Sequence, residues 1–327
     1  MATIKDVAKL AGVSISTVSL AFNSPERVSE VTREKIFSAV RSLNYVPMKE
    51  HKRAALDKHK NESIAVIIHQ LVGPYFFEVL RGICETIYRN KKEMVLYSGD
   101  EAVERYFLNI VRNRVYQGVI LVNATVQDKY LQEAVDADFP VVMCCYRTGY
   151  RGLSSVRINN EEIGRMVAAH FIKRRFRKIG LVGRIHDEIT FRRGCFLRTL
   201  EKNGIIVPEE WELLCELTGD AAYKTVDSFL KSGQDYPEAF FCLNDDSAIG
   251  TIEAIRNNGL SVPNDISIVG CDDLSRSKYN IPSLTTVSTP KIEFGMLAVN
   301  MLIRRIAGLP PEEIVLDGKM ILRESCL

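Results

Sequence analysis

The amino-acid sequence predicts an N-terminal all-α head followed by an α/β core of two parallel-sheet subdomains. Within residues 1–46, apolar positions recur with helical spacing and short turns separate three helices. From Ser63 onward, short apolar runs alternate with amphipathic stretches, which is typical of parallel sheets covered by helices. The net charge also differs between the head and the rest of the chain. Residues 1–60 carry 11 Lys and Arg against 6 Asp and Glu, whereas the rest of the chain has a net charge of −3, so we expect nucleic acid to bind at the head.

Three short helices fit the head. The first begins near Ile4 and ends at Gly12, because glycine adopts the left-handed conformation without steric cost. The second runs to about Asn23 and the third to about Leu43. The residues that can cap these helices are Thr3 with Asp6, then Ser14 or Ser16, then Ser29.

A glycine turn between the first two helices is typical of a helix-turn-helix, in which the second helix contacts DNA. We expect its outward residues to be Ile15, Ser16, Thr17 and Leu20, and its buried residues to be Val18 and Phe22. Small hydroxyl side chains suit contact with base edges or phosphates. The alternative is a small helical cap that only packs on the core.

The string from Ile4 to Ser19 resembles the N-terminal signature of the LacI/GalR family of bacterial transcription repressors. The further matches are Val28-Ser29, Thr32-Arg33, Leu43-Asn44-Tyr45 and Pro47. The resemblance implies a homodimer that places two recognition helices in the major grooves of a palindromic double-stranded DNA operator. The DNA-binding residues that it implies are Thr3, Ser14, Ile15, Ser16, Thr17, Ser19, Leu20, Asn23, Tyr45 and Leu56.

Two features of the head depart from the family pattern. Leu20 stands where relatives often carry a polar or basic base-reading residue, so we expect an apolar contact, for example with a thymine methyl group. The linker, residues 47–62, is about two residues longer than usual. In the family this stretch forms a hinge helix that inserts a leucine into the minor groove, and the matching residue is Leu56, with Ala54 as the alternative register. Taken alone, the linker is a solvated polar segment.

Residues 63–327 are predicted to form the core. The predicted strands are 64–68, 94–97, 119–122, 141–144, 179–182, 240–243 and 266–269. The predicted helices are 76–89, 103–114, 129–137, 161–173, 196–203, 223–231 and 247–258. The resemblance continues here, and it implies a fold like that of periplasmic sugar-binding proteins. Its subdomains are an N-subdomain of 63–158 and 289–318 and a C-subdomain of 159–288 and 319–327.

The resemblance also implies a small-molecule effector, sugar-like, bound between the two subdomains. The implied effector-binding residues are Tyr75 and Phe76 as an apolar or stacking wall, Arg192, the amide of Asn244 and the carboxylate of Asp272. These side chains suit a polyhydroxylated or heterocyclic small molecule. Each has a structural alternative: helix-start core for the aromatic residues, a solvated helix start for Arg192, an N-cap for Asn244, and a turn cap for Asp272 or Asp273.

Two departures in the core leave the effector open. Many relatives end the fourth strand with an aspartate that points into the cleft, whereas this chain has Cys144-Cys145-Tyr146-Arg147. The Asp-Asn pair that usually begins the second subdomain is Asn159-Asn160. An acidic or modified sugar, a non-sugar ligand and a site that has lost its effector all remain alternatives.

Other function classes find little support in the sequence. There is no signal peptide or apolar run of about 20 residues, so we expect a protein of the bacterial cytoplasm, associated with the nucleoid and with no membrane partner. The 8 cysteines show no zinc spacing and are expected to be reduced and mostly buried, including the adjacent Cys144 and Cys145. No metal or cofactor is expected.

An enzyme is the first competing class, but no catalytic motif is present, and His170 in an apolar helix fits a structural role. A binding protein of the periplasmic type without DNA readout is the second competing class. It would not need the basic head. The sequence therefore favours a DNA-binding transcription repressor under effector control.

Overall fold

A computed structural model describes residues 3–23, 27–43, 62–69, 73–99, 102–145, 152–184 and 189–326. Two compact units divide the chain, Met1–Glu62 and Ser63–Leu327. Three positions singled out in the sequence, Tyr45, Leu56 and Ala54, lie outside the described residues.

The head contains three helices around a small apolar core. They are α1 (Ile4–Ala11), α2 (Ile15–Asn23) and α3 (Glu30–Ser42). Gly12 ends α1 in the left-handed conformation with φ of 67°. The buried residues of the head are Val7, Ala8, Val18, Ala21, Ile36 and Ala39. Burial of one apolar face on each helix fixes which face of α2 remains exposed.

The core alternates strands and helices. Its strands are β1 (Ser63–Ile68), β2 (Glu93–Ser98), β3 (Val119–Val122), β4 (Val141–Cys144), β5 (Ser154–Ile158), β6 (Ile179–Gly183), β7 (Glu212–Leu214), β8 (Ala239–Cys242), β9 (Ser267–Asp272), β10 (Thr285–Ser288), β11 (Glu313–Leu316) and β12 (Lys319–Ile321). Its helices are α4 (Pro74–Arg89), α5 (Val103–Asn113), α6 (Asp128–Asp136), α7 (Asn160–Lys173), α8 (Ile189–Glu201), α9 (Gly219–Lys231), α10 (Asp245–Asn257) and α11 (Lys291–Ile306). None of these helices is long and apolar enough to cross a membrane.

The described strands form two six-stranded sheets. The first has the order β11-β5-β4-β3-β1-β2 and is parallel throughout. The second has the order β12-β10-β9-β8-β6-β7, and only β12 runs antiparallel. The chain passes between the sheets three times, from β5 to α7, from β10 to α11 and from β11 to β12. This confirms the predicted fold class, a helical head with a core of two mainly parallel sheets.

The passages between the sheets are held against one another. The Asn159 side chain donates a hydrogen bond to Asp317 Oδ1 at 2.7 Å, and its backbone N–H donates to the Leu316 carbonyl at 2.8 Å. A Cβ added at Gly318 would lie 2.6 Å from a methyl group of Val287. The three connections therefore lie in contact with one another, and together they are called the hinge.

Several elements differ from the expectations. The helix predicted to begin at Phe196 begins at Ile189, so Arg192 lies within its first turn rather than before it. The helix α11 and the strands β5, β7, β10, β11 and β12 were not predicted. Thr285 and Thr286 in β10 are polar but fully buried, because their hydroxyls form hydrogen bonds to neighbouring segments. The strand therefore has no apolar run by which the sequence could predict it.

The contact between α7 and α8 depends on a glycine. A Cβ added at Gly164 would lie 2.2 Å from the carbonyl oxygen of Arg192 and 2.8 Å from the amide nitrogen of Phe196. Only a residue without a side chain permits this approach. Gly164 therefore sets the position of the turn of α8 that carries Arg192.

We predict that Gly164→Ala lowers the thermal stability of the core. Alanine favours a helix over glycine by about 0.5–1 kcal/mol, but forcing a methyl group against backbone costs about 1–3 kcal/mol. The matched control is Gly194→Ala in α8, where the added Cβ would meet only the mobile end of Arg198 at 3.1 Å. Thermal unfolding monitored by circular dichroism should show a lower Tm for Gly164→Ala and an unchanged or higher Tm for Gly194→Ala. Equal effects would contradict the proposed role of Gly164.

Candidate functional site

The N-terminus of α2 is capped by Ser14. Its Oγ accepts a hydrogen bond from the backbone N–H of Thr17 at 3.1 Å. The same Oγ lies 2.7 Å from both Ser16 Oγ and Thr17 Oγ1. Of the two capping serines that the sequence allowed, Ser14 is the one that caps. The three hydroxyls lie together at the helix N-terminus, where the helix dipole favours a phosphate.

The remaining α2 positions show a graded exposure. Ile15 is 45% exposed and Ser16 is exposed, while Thr17, Ser19 and Leu20 are half-buried. Thr17 and Leu20, which the sequence predicts to face outward, are thus partly accessible, and their role in DNA binding stays a prediction. Val18 is buried as predicted. Of the other predicted DNA-binding residues, Asn23 is the last residue of α2.

Thr3 lies at the start of α1, where it pairs with Asp6. Its backbone N–H and its hydroxyl donate to the Asp6 carboxylate at 2.8 and 2.7 Å. The hydroxyl bond from Thr3 is the main reason that the pKa of Asp6 lies below its usual value. The capping interaction predicted from the sequence is thus present, and it orients Thr3 beside the helix start.

A cavity of about 360 Å³ lies between the two sheets of the core. Its lining includes all five predicted effector-binding residues, Tyr75, Phe76, Arg192, Asn244 and Asp272. The lining also includes Cys145, Asn160, Leu217 and Leu274. The cavity is formed where strands of both sheets end, which is the usual ligand position in parallel α/β sheets.

Arg192 brings a buried positive charge to the cavity. It is only 6% exposed, so the solvated helix start considered for it is wrong. Its Nε donates to Asn160 Oδ1 at 3.0 Å, and Nη1 donates to the Leu243 carbonyl. These bonds use two of the five N–H donors of the guanidinium. The arginine is therefore held rigidly between α7 and the end of β8 and keeps donors for a ligand.

Asp272 brings a buried carboxyl group to the same cavity. It is the last residue of β9, is 7% exposed and has φ of 117°, a backbone conformation that L-residues rarely adopt. Burial raises the pKa of Asp272 to about 7, although the nearby Arg192 guanidinium lowers it. The neighbouring Asp273 is paired instead with Arg323 at 2.6 Å. Of the two aspartates, only Asp272 lines the cavity.

Asn244 has both a structural and a cavity-lining role. Its Oδ1 caps α10 by accepting from the Ser247 N–H at 2.9 Å, and its Nδ2 donates to the Leu217 carbonyl at 2.9 Å. The N-cap alternative from the sequence is therefore correct. Because a carboxamide has two donors and two lone pairs, the bonds leave one of each for a ligand.

The aromatic wall is formed by the first turn of α4. Tyr75 and Phe76 stack edge to face, with ring centroids 5.2 Å apart and an interplanar angle of 87°. Both are half-buried and line the cavity. Burial raises the pKa of Tyr75 well above its usual value, so its phenol stays neutral and can donate a hydrogen bond.

Among the cavity-lining residues that sequence reasoning missed are Cys145 and Asn160. Cys145 packs against the core as expected, but β4 ends at Cys144, and Cys145, with φ of 78°, also lines the cavity. Asn160, 6% exposed, accepts the hydrogen bond from Arg192. The only signal for either was that both stand at positions where the sequence departs from the family pattern.

The arrangement can bind a small molecule with a polar and an apolar face. Among the lining residues, Arg192 and Asp272 provide a donor and an acceptor, and the aromatic pair provides an apolar surface. Within the described ranges, no three His, Cys, Asp or Glu side chains are grouped as metal ligands.

Comparisons with known proteins agree with this geometry. Residues 3–48 match the family "Bacterial regulatory proteins, lacI family", and residues 168–326 match "Periplasmic binding protein-like domain". The chain is 31% identical to the HTH-type transcriptional regulator MalR of Clostridium butyricum, covering 99% of this chain and 98% of MalR. It is also 31% identical to the HTH-type transcriptional repressor PurR of Aliivibrio salmonicida, covering 99% of both.

Solved structures show the same fold along the whole chain. The transcriptional regulator CelR in complex with cellobiose has a TM-score of 0.73 at 25% identity, covering 99% of this chain and all of CelR. The lac repressor dimer bound to operator and the anti-inducer ONPF has a TM-score of 0.74 at 24% identity, covering 100% of this chain and 99% of that chain. With its helix-turn-helix head, its two-sheet core and these full-length relatives, the chain belongs to the lacI family of bacterial transcription regulators.

Proposed function

We propose that this regulator is a homodimeric repressor whose affinity for a palindromic operator is controlled by a sugar or sugar derivative in the core cavity. The observation that carries the proposal is that the cavity unites a buried guanidinium, a buried carboxyl group and an aromatic pair. Hydroxyl groups of a sugar can accept from Arg192 and donate to Asp272, while the apolar face of the ring packs on Tyr75 and Phe76. The complex of CelR with cellobiose supports a sugar as the class of effector.

DNA binding is proposed to use the exposed face of α2. Ser16 and Ile15 are its most accessible residues, and the hydroxyls of Ser14 and Thr17 lie beside the free N–H groups of the helix start. Phosphate contacts at that end would orient the helix in the major groove, and Leu20 would add an apolar contact to a base. Thr3, Ser19 and Asn23 complete the proposed surface, with Tyr45 and Leu56 expected to extend it.

Control by the effector follows from thermodynamic linkage. The cavity is lined by residues from both sheets, so a ligand that binds one arrangement of the two subdomains more tightly shifts the population towards that arrangement. If the two arrangements present the paired heads differently, operator affinity changes, and operator binding must change effector affinity by the same factor. The chain acts by binding, and no chemical step is proposed.

The experiment that tests DNA readout is selection of bound sequences from random duplex DNA by the full-length protein. We expect enrichment of a palindrome, because a symmetric dimer presents two copies of α2. Affinity for the selected site should fall steeply with salt, since each phosphate contact releases counterions. A control with residues 63–327 alone should enrich nothing. Absence of enrichment by the full-length protein would overturn the repressor assignment.

The α2 surface gives a sharper prediction. Changing Ser16, Thr17 and Leu20 together to alanine should reduce the preference for the selected palindrome over random duplex by at least about 100-fold, because three lost base contacts at about 1–3 kcal/mol each total about 3 kcal/mol or more. The change leaves the Ser14 cap and the buried Val18 in place, so the head should stay folded. Replacing the exposed Ser38 and Ser42 of α3 with alanine is the matched control. Gel-shift titrations that show retained preference in the α2 variant would contradict the assignment.

Asp272→Asn should change stability in a pH-dependent way. Because the pKa of Asp272 is about 7 in the folded protein, against about 3.9 when unfolded, its protonated form stabilises the fold at low pH. This stabilisation is lost as the pH rises from about 4 to 7. An asparagine at this position does not titrate, so the variant does not lose stability in that way. The Tm of Asp272→Asn relative to the unchanged protein should therefore increase between pH 5 and pH 8. A pH-independent difference would show that this carboxyl group is not desolvated.

The same variant tests the effector site. A panel of mono- and disaccharides that includes cellobiose should contain a compound that raises the Tm of the unchanged protein, and Asp272→Asn should abolish that rise. Operator affinity without the sugar should be retained. A full thermal shift in the variant would place the ligand elsewhere. Stabilisation by no sugar at all would favour a non-sugar ligand or a site that has lost its effector.

A further inference from the structure

Lys291 is a buried lysine next to the cavity, although it does not line the cavity itself. It is the first residue of α11, and its side chain is 4% exposed. Its ammonium donates to the backbone carbonyl of Asp272, and lies 3.3 Å from the carbonyl oxygen of Asp273 and 3.5 Å from that of Thr289. A buried ammonium needs such partners, because desolvation without them costs several kcal/mol.

The two aspartate carbonyls belong to an unusual turn. Asp272 has φ of 117° and Asp273 has φ of 54°, so two consecutive residues with side chains lie in the region that favours glycine. Each such residue costs about 1–3 kcal/mol and persists only where the surroundings enforce it. The positive charge of Lys291 attracts both carbonyl oxygens to one point. It thereby stabilises the backbone conformation from which the Asp272 side chain reaches the cavity.

The ammonium also faces the helix that carries the aromatic wall. Lys291 Nζ lies 3.8 Å from Glu78 Oε2, and Glu78 is three residues after Tyr75 in α4. The helices α4 and α11 pack closely, since a Cβ at Gly82 would lie 2.1 Å from the Ile292 carbonyl oxygen. Lys291 therefore joins the end of β9 in one sheet to the cavity-lining helix that packs with the other sheet.

We infer that Lys291 is a positioning residue of the effector site, which holds the Asp272 carboxyl group near Arg192 and couples that placement to α4. The inference rests on the proposed function of the cavity. It adds a residue of the hinge to the site, and it predicts that the electrostatic state of Asp272 depends on a side chain that touches no ligand.

Several charged and titratable groups face Asp272. The cations are Arg192 from α8 and Lys291 from α11, and the other groups are Asp245 and Asp246 from α10, Tyr75 from α4 and Cys271 of β9. Burial raises the pKa of Asp272, and both cations lower it. Removal of the Lys291 charge should therefore raise the pKa of Asp272 further, while the carboxylates nearby continue to favour its protonated form.

The test is a carboxyl titration of the full-length protein without ligand or DNA. Aspartate labelled with ¹³C at Cγ reports each titration by NMR, and the signal missing from Asp272→Asn identifies Asp272. Lys291→Met should raise its midpoint by about one pH unit, the low end of the effect of a nearby opposite charge on an aspartate. Lys291→Gln keeps a hydrogen-bond donor without the charge and should also raise the midpoint, which provides a second variant if methionine prevents folding.

Two further variants separate positioning from general loosening. Lys291→Arg keeps the charge and should leave the midpoint close to that of the unchanged protein. Lys319→Met removes an exposed lysine from β12, beside the hinge, and should have no effect. An unchanged midpoint in the Met and Gln variants would overturn the inference, and so would an equal rise in all four variants. Because neither sugar nor operator is used, this result is independent of whether the proposed function holds.

Discussion

The core holds two buried ionisable groups, Arg192 and Asp272, in one cavity, and the surrounding structure must compensate for their loss of water. A lone buried charge costs several kcal/mol, whereas a paired and hydrogen-bonded one can be tolerated. Arg192 meets this requirement with bonds to Asn160 and to the Leu243 carbonyl, which fix α8 against α7 and against the end of β8. The close contact of Gly164 in α7 with the backbone of α8 brings the same two helices together. The helix pair, the strand end and the guanidinium are therefore parts of one arrangement.

A second buried carboxyl group, that of Asp245, lies near Asp272 and joins several segments beside the cavity. Asp245, fully buried, accepts from the Ser277 hydroxyl at 2.6 Å, the Thr286 hydroxyl at 2.5 Å and the Leu274 N–H at 2.8 Å. Burial raises the pKa of Asp245 even so. These bonds connect the start of α10 to β10, next to the hinge. These hydrogen bonds thus connect residues beside the cavity to the hinge. Through them, a ligand in the cavity can influence the relative orientation of the two subdomains.

The sequence predicts the parts of this protein that local pattern determines. Buried strands such as Ile64–Ile68 consist of apolar residues, and the head has its caps and glycine turn in the expected places. The sequence does not predict the strand β10, because Thr285 and Thr286 are buried through hydrogen bonds rather than through apolar character. For the site, the family resemblance supplied five residues that line one cavity. Asn160, Cys145 and Lys291 depend on contacts between distant segments, which no spacing along the chain reveals.

The protonation of Asp272 is a property that a bound ligand would change. A carboxyl group with a pKa of about 7 is partly protonated at neutral pH, so it is a weaker acceptor than a fully ionised one. Ligand hydroxyls that donate to it stabilise the ionised form and lower its pKa, so binding near neutrality releases a proton. The strained turn at Asp272 and Asp273 and the desolvated charge of Asp272 both raise the free energy of the protein before a ligand binds. A ligand that hydrogen-bonds to the carboxylate in only one subdomain arrangement binds that arrangement more tightly. It therefore shifts the equilibrium towards that arrangement, which is what effector control of operator binding requires.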